Sequence, residues 1–331
     1  MTTPGAVSSS ENPPGANPPN AVALRDSPHG VAALARWSAL AEWCEARLGP
    51  VEYLDVFSKE HKGHESSVRR MRTPRGVGYL KVHESREHWN NEVHAYERWA
   101  PAFGALAPRL WAVRDAEPLA LVLSEVVGTP ADSVELSPIQ ARELWRAAGA
   151  ALPALHNLGS DSSKAKDRIA ERCMGQLERA RAGAYIDTEE ATILKRIYAS
   201  IPAFEGESFV PCHRDYCAAN WLVDAQGTLT GIIDFEFSQW DIRMADFSRD
   251  PDWNWIRRPD LFEAFLKGYG RPLSPREQEQ LLVARAEYAL GAILWGRDSD
   301  YRGFEREGRD ALRHLTSSLD CGLAAARPDV V

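Results

Sequence analysis

Two short runs constrain this chain more than anything else in it. The first is His213-Arg214-Asp215-Tyr216-Cys217-Ala218-Ala219-Asn220, and the second is Gly231-Ile232-Ile233-Asp234-Phe235-Glu236-Phe237. Together they supply a loop carboxylate, a carboxamide five positions later, and a second carboxylate at the end of an apolar strand. A carboxylate in that last position is out of place unless it is used, because an unpaired charge among apolar residues is costly to desolvate. The set suits one chemistry well. Asp215 is a candidate base for an attacking hydroxyl, while Asn220 and Asp234 offer the hard oxygen atoms that magnesium prefers. Phosphoryl transfer from a nucleotide needs these parts. Each residue alone has a plainer reading: a turn aspartate, an αL asparagine, a strand-end acid. Their joint occurrence around one short β-hairpin is what carries the inference.

Lys81 adds to it. The residue sits in Tyr79-Leu80-Lys81-Val82-His83, a strand-like alternation, and Glu92 follows eleven residues later on a helical segment. Such a pair would hold an ammonium against nucleotide phosphates. Alternation alone does not decide which strand face points inward, and Glu87 and Glu97 lie on the same helix as competitors for Glu92.

The order of elements explains how these residues can meet. Residues 29–49, HGVAALARWSALAEWCEARLG, have helical spacing, closed by Gly49-Pro50. Strands are expected at VEYLDVF, SSVRRMRT and VGYLKVH, with a turn at Pro74-Arg75-Gly76, then a helix over EHWNNEVHAYERWA and strands at RLWAVRD and PLALVLSEV. From Pro138 the pattern becomes helical, including PIQARELWRAAGAALPALHNL, broken by a β island that carries the two runs. Three helices are expected at the end, around 259–269, 274–296 and 301–321. The fold class is therefore α+β and bilobal: a small antiparallel β-rich lobe at 31–126 and a larger, mainly helical lobe at 127–331. Residues 1–30, rich in Pro, Gly, Ser and Asn, read as a disordered tail without the features of a secretory signal.

Composition narrows the partners. A net charge of −8 disfavours general nucleic-acid binding, which needs a basic surface. No apolar run is long enough to span a membrane. The five cysteines are scattered and form no zinc-ligand pattern, and reduced thiols fit a cytoplasmic setting. Cys212 and Cys217 flank the first run and read as small packing residues rather than activated thiolates.

With these residues in place, the chain resembles the aminoglycoside phosphotransferase family, the small-molecule branch of the protein-kinase-like fold, over roughly residues 50–320. The resemblance rests on HRDYCAAN, IIDFE, YLKV, LVLSEVVGTP and LPALHNL. It implies a bilobal kinase-like fold with Asp215 as catalytic base and Asn220 and Asp234 as magnesium ligands. Lys81 with Glu92 would position the phosphates, and the backbone of Ser124, Glu125 and Val126 would hold the adenine of ATP, with GTP as the other possible donor. His213 and Asp246 would brace the catalytic loop, with His156 as a core residue. The sequence also departs from kinase patterns. The phosphate loop KEHKGHESS holds only Gly63, no Walker sequence is present, and Ser66 and Ser67 are the remaining phosphate-binding candidates. DFE stands where protein kinases have DFG, and no APE-like element follows, which favours a small hydroxyl acceptor over a protein.

The activity expected is ATP-dependent O-phosphorylation of a small molecule, most simply an antibiotic of aminoglycoside, nucleoside or macrolide type, giving resistance or self-protection. The alternatives are a kinase of a sugar or amino alcohol, or a non-catalytic nucleotide-binding relative. An iron site built from His213, Asp215 and His314 is disfavoured because His314 sits in a helical pattern. Near-balanced acids and arginines after Asp241, with Trp240, Trp253, Trp255 and Trp295, leave the acceptor and the oligomeric state open.

Overall fold

The computed structural model describes residues 28–58, 67–162, 164–249 and 258–325. The chain divides into two compact units, Met1–Val51 and Glu52–Val331. In the first, the described element is helix α1 (Pro28–Leu48), which stops as the sequence predicts. Gly49 takes a φ of 84°, its N–H donating to the Glu45 carbonyl at 2.9 Å, and Pro50 follows. Residues 1–27 of the expected tail lie outside the described residues.

The second unit opens with a five-stranded antiparallel sheet made of β1 (Glu52–Ser58), β2 (Ser67–Thr73), β3 (Gly76–His83), β4 (Leu110–Arg114) and β5 (Leu119–Ser124), in the order β1-β2-β3-β5-β4. The β2–β3 turn is local chemistry: Thr73 Oγ1 accepts from Arg75 N–H at 3.0 Å, and Gly76 takes a φ of 113°. β3 is central, with Lys81 opposite Val68 on one side and Leu121 on the other.

Helix α2 (Arg86–Arg98) begins at Ser85, whose hydroxyl caps His88 N–H at 3.3 Å. Its buried stripe is Trp89, Glu92, Ala95 and Tyr96, spacing that keeps one helical face on the sheet. Trp89 Nε1 donates to the Ala120 carbonyl on β5 at 3.3 Å, which fixes the helix's rotation. Glu92 is therefore carried inward by its place in an apolar stripe, while Glu87 and Glu97 face outward.

The rest is mainly helical: α3 (Pro138–Ala151), α4 (Pro153–His156), α5 (Ala165–Ala182), α6 (Thr188–Tyr198), α7 (Pro259–Tyr269), α8 (Pro275–Asp298) and α9 (Arg302–Ala325). Ser137 with Gln140, Asp187 with Glu190 and Ser274 with Glu277 form capping boxes at the starts of α3, α6 and α8. The single helix expected over 138–158 is two helices, because Pro153 has no N–H to continue the ladder. Helices α3 and α7 cross closely. A side chain at Gly149 would run into the Phe265 backbone, and one at Gly268 into the Arg146 carbonyl.

Short strands interrupt this lobe: β6 (Thr129–Pro130), β7 (Val210–Cys212), β8 (Trp221–Val223), β9 (Leu229–Ile232) and β10 (Gln239–Asp241). They form a β6-β8-β9 sheet and a β7–β10 pair. Their ends present Asp215, Asn220 and Asp234, and beneath them the core is aromatic, with Tyr216, Trp221, Phe235, Phe247 and Phe265 all buried. Among the described residues no helix is long and apolar enough to cross a membrane.

Candidate active site

The loop after β7 is shaped by one buried carboxylate. Asp246 Oδ2 accepts from His213 N–H at 3.0 Å, and Oδ1 accepts from Arg214 N–H at 2.5 Å. Oδ2 also meets His156 Nε2 at 3.0 Å, whose Nδ1 is 2.9 Å from the Tyr269 hydroxyl. Asp246 braces the loop as expected, and His156 is both a core residue and part of that brace. The brace holds Arg214 at a φ of 64°, a left-handed conformation that residues other than glycine rarely adopt.

His213 links this loop to the next. Its Nε2 lies 3.0 Å from the Ile233 carbonyl, and its Nδ1 accepts from Asp215 N–H at 3.3 Å. That pattern requires the neutral imidazole with the proton on Nε2. Burial lowers the ring's pKa, outweighing the carboxylates around it, so the neutral form persists.

Asp215 is thereby set at the mouth of the loop. Its Oδ2 accepts from Asn220 Nδ2 at 2.8 Å, and the same nitrogen donates to the Asp215 carbonyl at 2.9 Å. Asn220 thus uses its amide nitrogen inward, leaving its Oδ1 as the ligand-type atom. The Asn220 carbonyl accepts from Ile233 N–H at 3.0 Å, tying it to the strand that ends in Asp234. Asp215 also forms an ion pair with Arg249.

Asp234 follows β9 with a φ of 69°, again left-handed without being glycine. Strain of this kind persists only where the surroundings over-determine it, and it concentrates at functional sites. Lys81 Nζ donates to Asp234 Oδ1 at 2.5 Å and to Glu92 at 3.1 Å, and it lies 3.0 Å from Glu236. Burial would depress the Lys81 pKa, but Asp234, Glu92 and Glu236 together raise it well above the usual lysine value. For Glu92, burial pushes upward and Lys81 with His83 pulls further down, so its carboxyl is lowered. Both ends of the pair are ionised.

The sequence-predicted residues thus converge: Lys81 with Glu92 and Asp234, and Asp215 with Asn220. At the β5 end, Ser124 and Val126 line the same cavity as these residues. Glu125 turns aside, its carboxylate accepting from Arg70 Nε at 2.8 Å and its N–H donating to the Val77 carbonyl at 3.0 Å. Ser66 and Gly63 lie outside the described residues, and Ser67 begins β2. Trp240 packs edge-on against Trp99, whereas Trp295 lines the cavity. Trp253 and Trp255 lie outside the described residues. His314 is within α9, as its helical pattern predicts. Cys212 is buried, and burial raises its thiol pKa well above the ordinary value, so it is no thiolate.

Three neighbours were not singled out from sequence. His83 Nε2 lies 2.7 Å from Glu92 Oε2, Glu236 is the third carboxylate on Lys81, and Arg249 covers Asp215. Strand alternation carried a signal for His83, which shares the face of Lys81 two positions on. Arg249 had none, since only the folded path of the loop after Phe247 brings it to Asp215.

The cavity shared by these groups has a volume of about 1080 Å³. Val68, Leu123, Leu222 and Ile233 line the same cavity as Lys81 and give it an apolar character suited to a flat heterocycle. Asn220 Oδ1 and the carboxylate of Asp234 are hard oxygen donors beside the Lys81 ammonium, and this donor set fits a magnesium nucleotide.

The solved structures with this architecture include the GDP complex of aminoglycoside 2'-phosphotransferase-IIIa, with TM-score 0.60 and 14% identity over 85% of this chain and 98% of that one. Macrolide 2'-phosphotransferase MphH from Brachybacterium faecium matches with TM-score 0.58 and 16% identity over 83% and 97%. Aminoglycoside phosphotransferase APH(3'')-Id from Streptomyces rimosus matches with TM-score 0.52 and 20% identity over 77% and 97%. At these identities the likeness is one of fold, and it is the α+β, bilobal, protein-kinase-like fold. A search of curated proteins finds no significant match. The model of the phosphotransferase enzyme family, APH, matches residues 59–282, more than half of the sequence, and the chain therefore belongs to that family, a phosphotransferase with an alcohol group as acceptor.

Proposed function

We propose that this protein is a nucleotide-dependent O-phosphotransferase that modifies a hydroxyl of a small antibiotic, with ATP or GTP as donor and magnesium as the ion. The observation that carries the reading is the meeting, in one cavity, of side chains from four separate segments. Lys81 comes from β3, Glu92 from α2, Asp215 with Asn220 from the loop after β7, and Asp234 from the end of β9.

In this reading Asp215 orients the acceptor hydroxyl and takes its proton as the oxygen attacks the terminal phosphorus, whose bond to the bridging oxygen breaks to release the nucleoside diphosphate. Asn220 holds the Asp215 carboxylate in place through its amide nitrogen. Lys81, steered by Glu92, binds the nucleotide phosphates, and the edge at Ser124, Glu125 and Val126 takes the base, chiefly through Ser124 and Val126. Magnesium, held by Asn220 and Asp234, would neutralise phosphate charge. This reading puts the lobe boundary after Val126, and the free, buried cysteines Cys173 and Cys212 fit a cytoplasmic enzyme.

The antibiotic class finds support in the solved relatives of this fold, whose complexes hold gentamicin, kanamycin with GDP, and streptomycin with ATP. The test is Asp215→Ala. Transfer to any acceptor should fall by about two to four orders of magnitude, the range for a general base, with magnesium-nucleotide affinity within a few-fold of wild type. Wild-type turnover in that variant would remove Asp215 from the role.

A further inference from the structure

The half of the cavity beyond Asp215, away from the Lys81 pocket, is built from α5, α8 and α9. Ala284, Glu287, Tyr288, Gly291, Ala292 and Trp295 recur at helical spacing along α8 and all line it. The turn into α9 adds Tyr301 and Phe304. These rings form a continuous wall: Trp295 meets Phe304 edge-on at 5.1 Å and Tyr301 at 5.7 Å, and Tyr301 stacks on Phe304 at 6.4 Å. Tyr288 meets Phe304 at 6.3 Å.

The carboxylates beside this wall are already engaged. Asp241 accepts from Arg172 at 3.1 Å and pairs with Arg214 at 2.9 Å. Glu287 is paired with Arg172, and burial pushes its carboxyl above the ordinary value. Glu307 accepts from the Tyr288 hydroxyl at 2.6 Å. Asp215 carries Arg249, whose guanidinium stands 6.0 Å from the Tyr288 ring and 5.7 Å from the Phe304 ring. Among the described residues, Arg172, Arg214 and Arg249 thus stand against four carboxylates, Asp215, Asp241, Glu287 and Glu307, so the surplus facing this part of the cavity is at most one negative charge.

One polar atom remains uncommitted. Gln176 Oε1 is buried and has no hydrogen-bond partner among the described residues. Gln176 lines the same cavity, opposite Gly291, where a Cβ would stand 3.8 Å from its Nε2. A buried acceptor of this kind calls for a donor such as a hydroxyl.

We propose that this half of the cavity selects a hydroxylated acceptor with a broad apolar face and little positive charge, laid against the wall of Tyr288, Trp295, Tyr301 and Phe304. The inference rests on the kinase reading above and narrows it. A polycationic acceptor would have to displace Arg172 and Arg249 from their partners to find carboxylates for several ammonium groups, whereas the wall itself offers rings and no further charge. An apolar face buries the rings and leaves the Arg172 and Arg214 pairs intact. Gln176 then takes one hydroxyl, and another meets Asp215 once Arg249 yields.

The test titrates the magnesium–nucleotide complex of the full chain, by calorimetry, with a macrolide and in parallel with kanamycin. The macrolide should bind at least about tenfold more tightly, the scale set by one well-packed aromatic anchor. In Trp295→Ala and in the milder Trp295→Leu that preference should shrink by about tenfold or more, with nucleotide affinity unchanged as the check on folding. Tighter binding of kanamycin, binding of neither compound, or a preference that survives both variants overturns the inference, and intact nucleotide binding then leaves the kinase reading standing. Loss of magnesium–nucleotide binding by the wild-type chain overturns both.

Discussion

Replacing Asp246 tests how the loop that carries Asp215 is held. Its carboxylate takes three donors, the His213 and Arg214 amides and His156 Nε2, all within a core where it is 2% exposed. Asp246→Ala leaves all three without a partner. A buried donor left unsatisfied costs about 1–3 kcal/mol, so three such losses amount to roughly 3–6 kcal/mol after partial relaxation. Asp246→Asn is the finer probe. With the amide oxygen in the place of Oδ2, the His213 and His156 bonds survive and the NH2 faces the Arg214 amide. That variant should lose about 1–3 kcal/mol, one bond rather than three. The functional effect has a separate cause. The Arg214 amide bond helps hold a φ of 64°, and a left-handed non-glycine residue stores about 1–2 kcal/mol. Released, Arg214 relaxes and carries Asp215 with it. A displacement on the ångström scale at the reacting group costs about a hundredfold in rate. Urea unfolding followed by tryptophan fluorescence gives the stabilities, and single-turnover phosphorylation with saturating nucleotide gives the rate. An alanine variant within about 1 kcal/mol of wild type would refute the brace. So would an asparagine variant less stable than the alanine one.

Three further outcomes follow from the same geometry. His83→Ala removes the group 2.7 Å from Glu92, so Glu92 should steer Lys81 less firmly; nucleotide KM should rise about three- to tenfold, with recovery in His83→Gln, in assays that vary nucleotide at fixed acceptor. Burial lowers the His213 pKa below the ordinary 6.5, so its folded form binds protons less readily than the unfolded chain. Its contribution to stability is complete above about 6.5 and is lost as pH falls through the window below, and urea midpoints of wild type should decline there more steeply than those of His213→Asn. A double-mutant cycle between His213→Asn and Asp246→Asn should give a coupling of about 0.5–3 kcal/mol, and strict additivity in denaturation data would show that the two residues act independently.

Much of this was legible because local rules and tertiary structure agree. The capped helix starts, the Thr73–Gly76 turn and the strand around Lys81 were each written in adjacent residues. The choice of Glu92 over Glu87 and Glu97 was also present, in the spacing Trp89, Glu92, Ala95, Tyr96, though it takes the Trp89 bond to Ala120 to fix which stripe faces the sheet. Glu236 and Arg249 were not legible as site residues. Glu236 reaches Lys81 only because Asp234 turns left-handed, and Arg249 reaches Asp215 only after the chain passes the Asp246 brace. Pattern reading reports faces and periods; it does not report where an irregular loop returns. The split of α3 from α4 shows the opposite failure, where a continuous apolar pattern hid the effect of Pro153.

The two left-handed residues of the site are mechanically connected. Arg214 is held by Asp246, and Asp234 follows Ile233, whose carbonyl takes the His213 Nε2 proton while its amide is bonded to the Asn220 carbonyl. His213 itself hangs from Asp246 through its own amide. One buried carboxylate and one neutral imidazole therefore set both Asp215 and the strand end that carries Asp234. Phe235 locks this arrangement from below, its ring 4.5 Å from His213 and 5.1 Å from Tyr96 on the helix that supplies Glu92. The chain spends its strain at two adjacent points and restrains both through shared partners. A change at either point is accordingly transmitted to Asp215, Asn220 and Asp234 together, and the separation between Asp215 and the Lys81–Asp234 pair is fixed by the core rather than by the loops themselves.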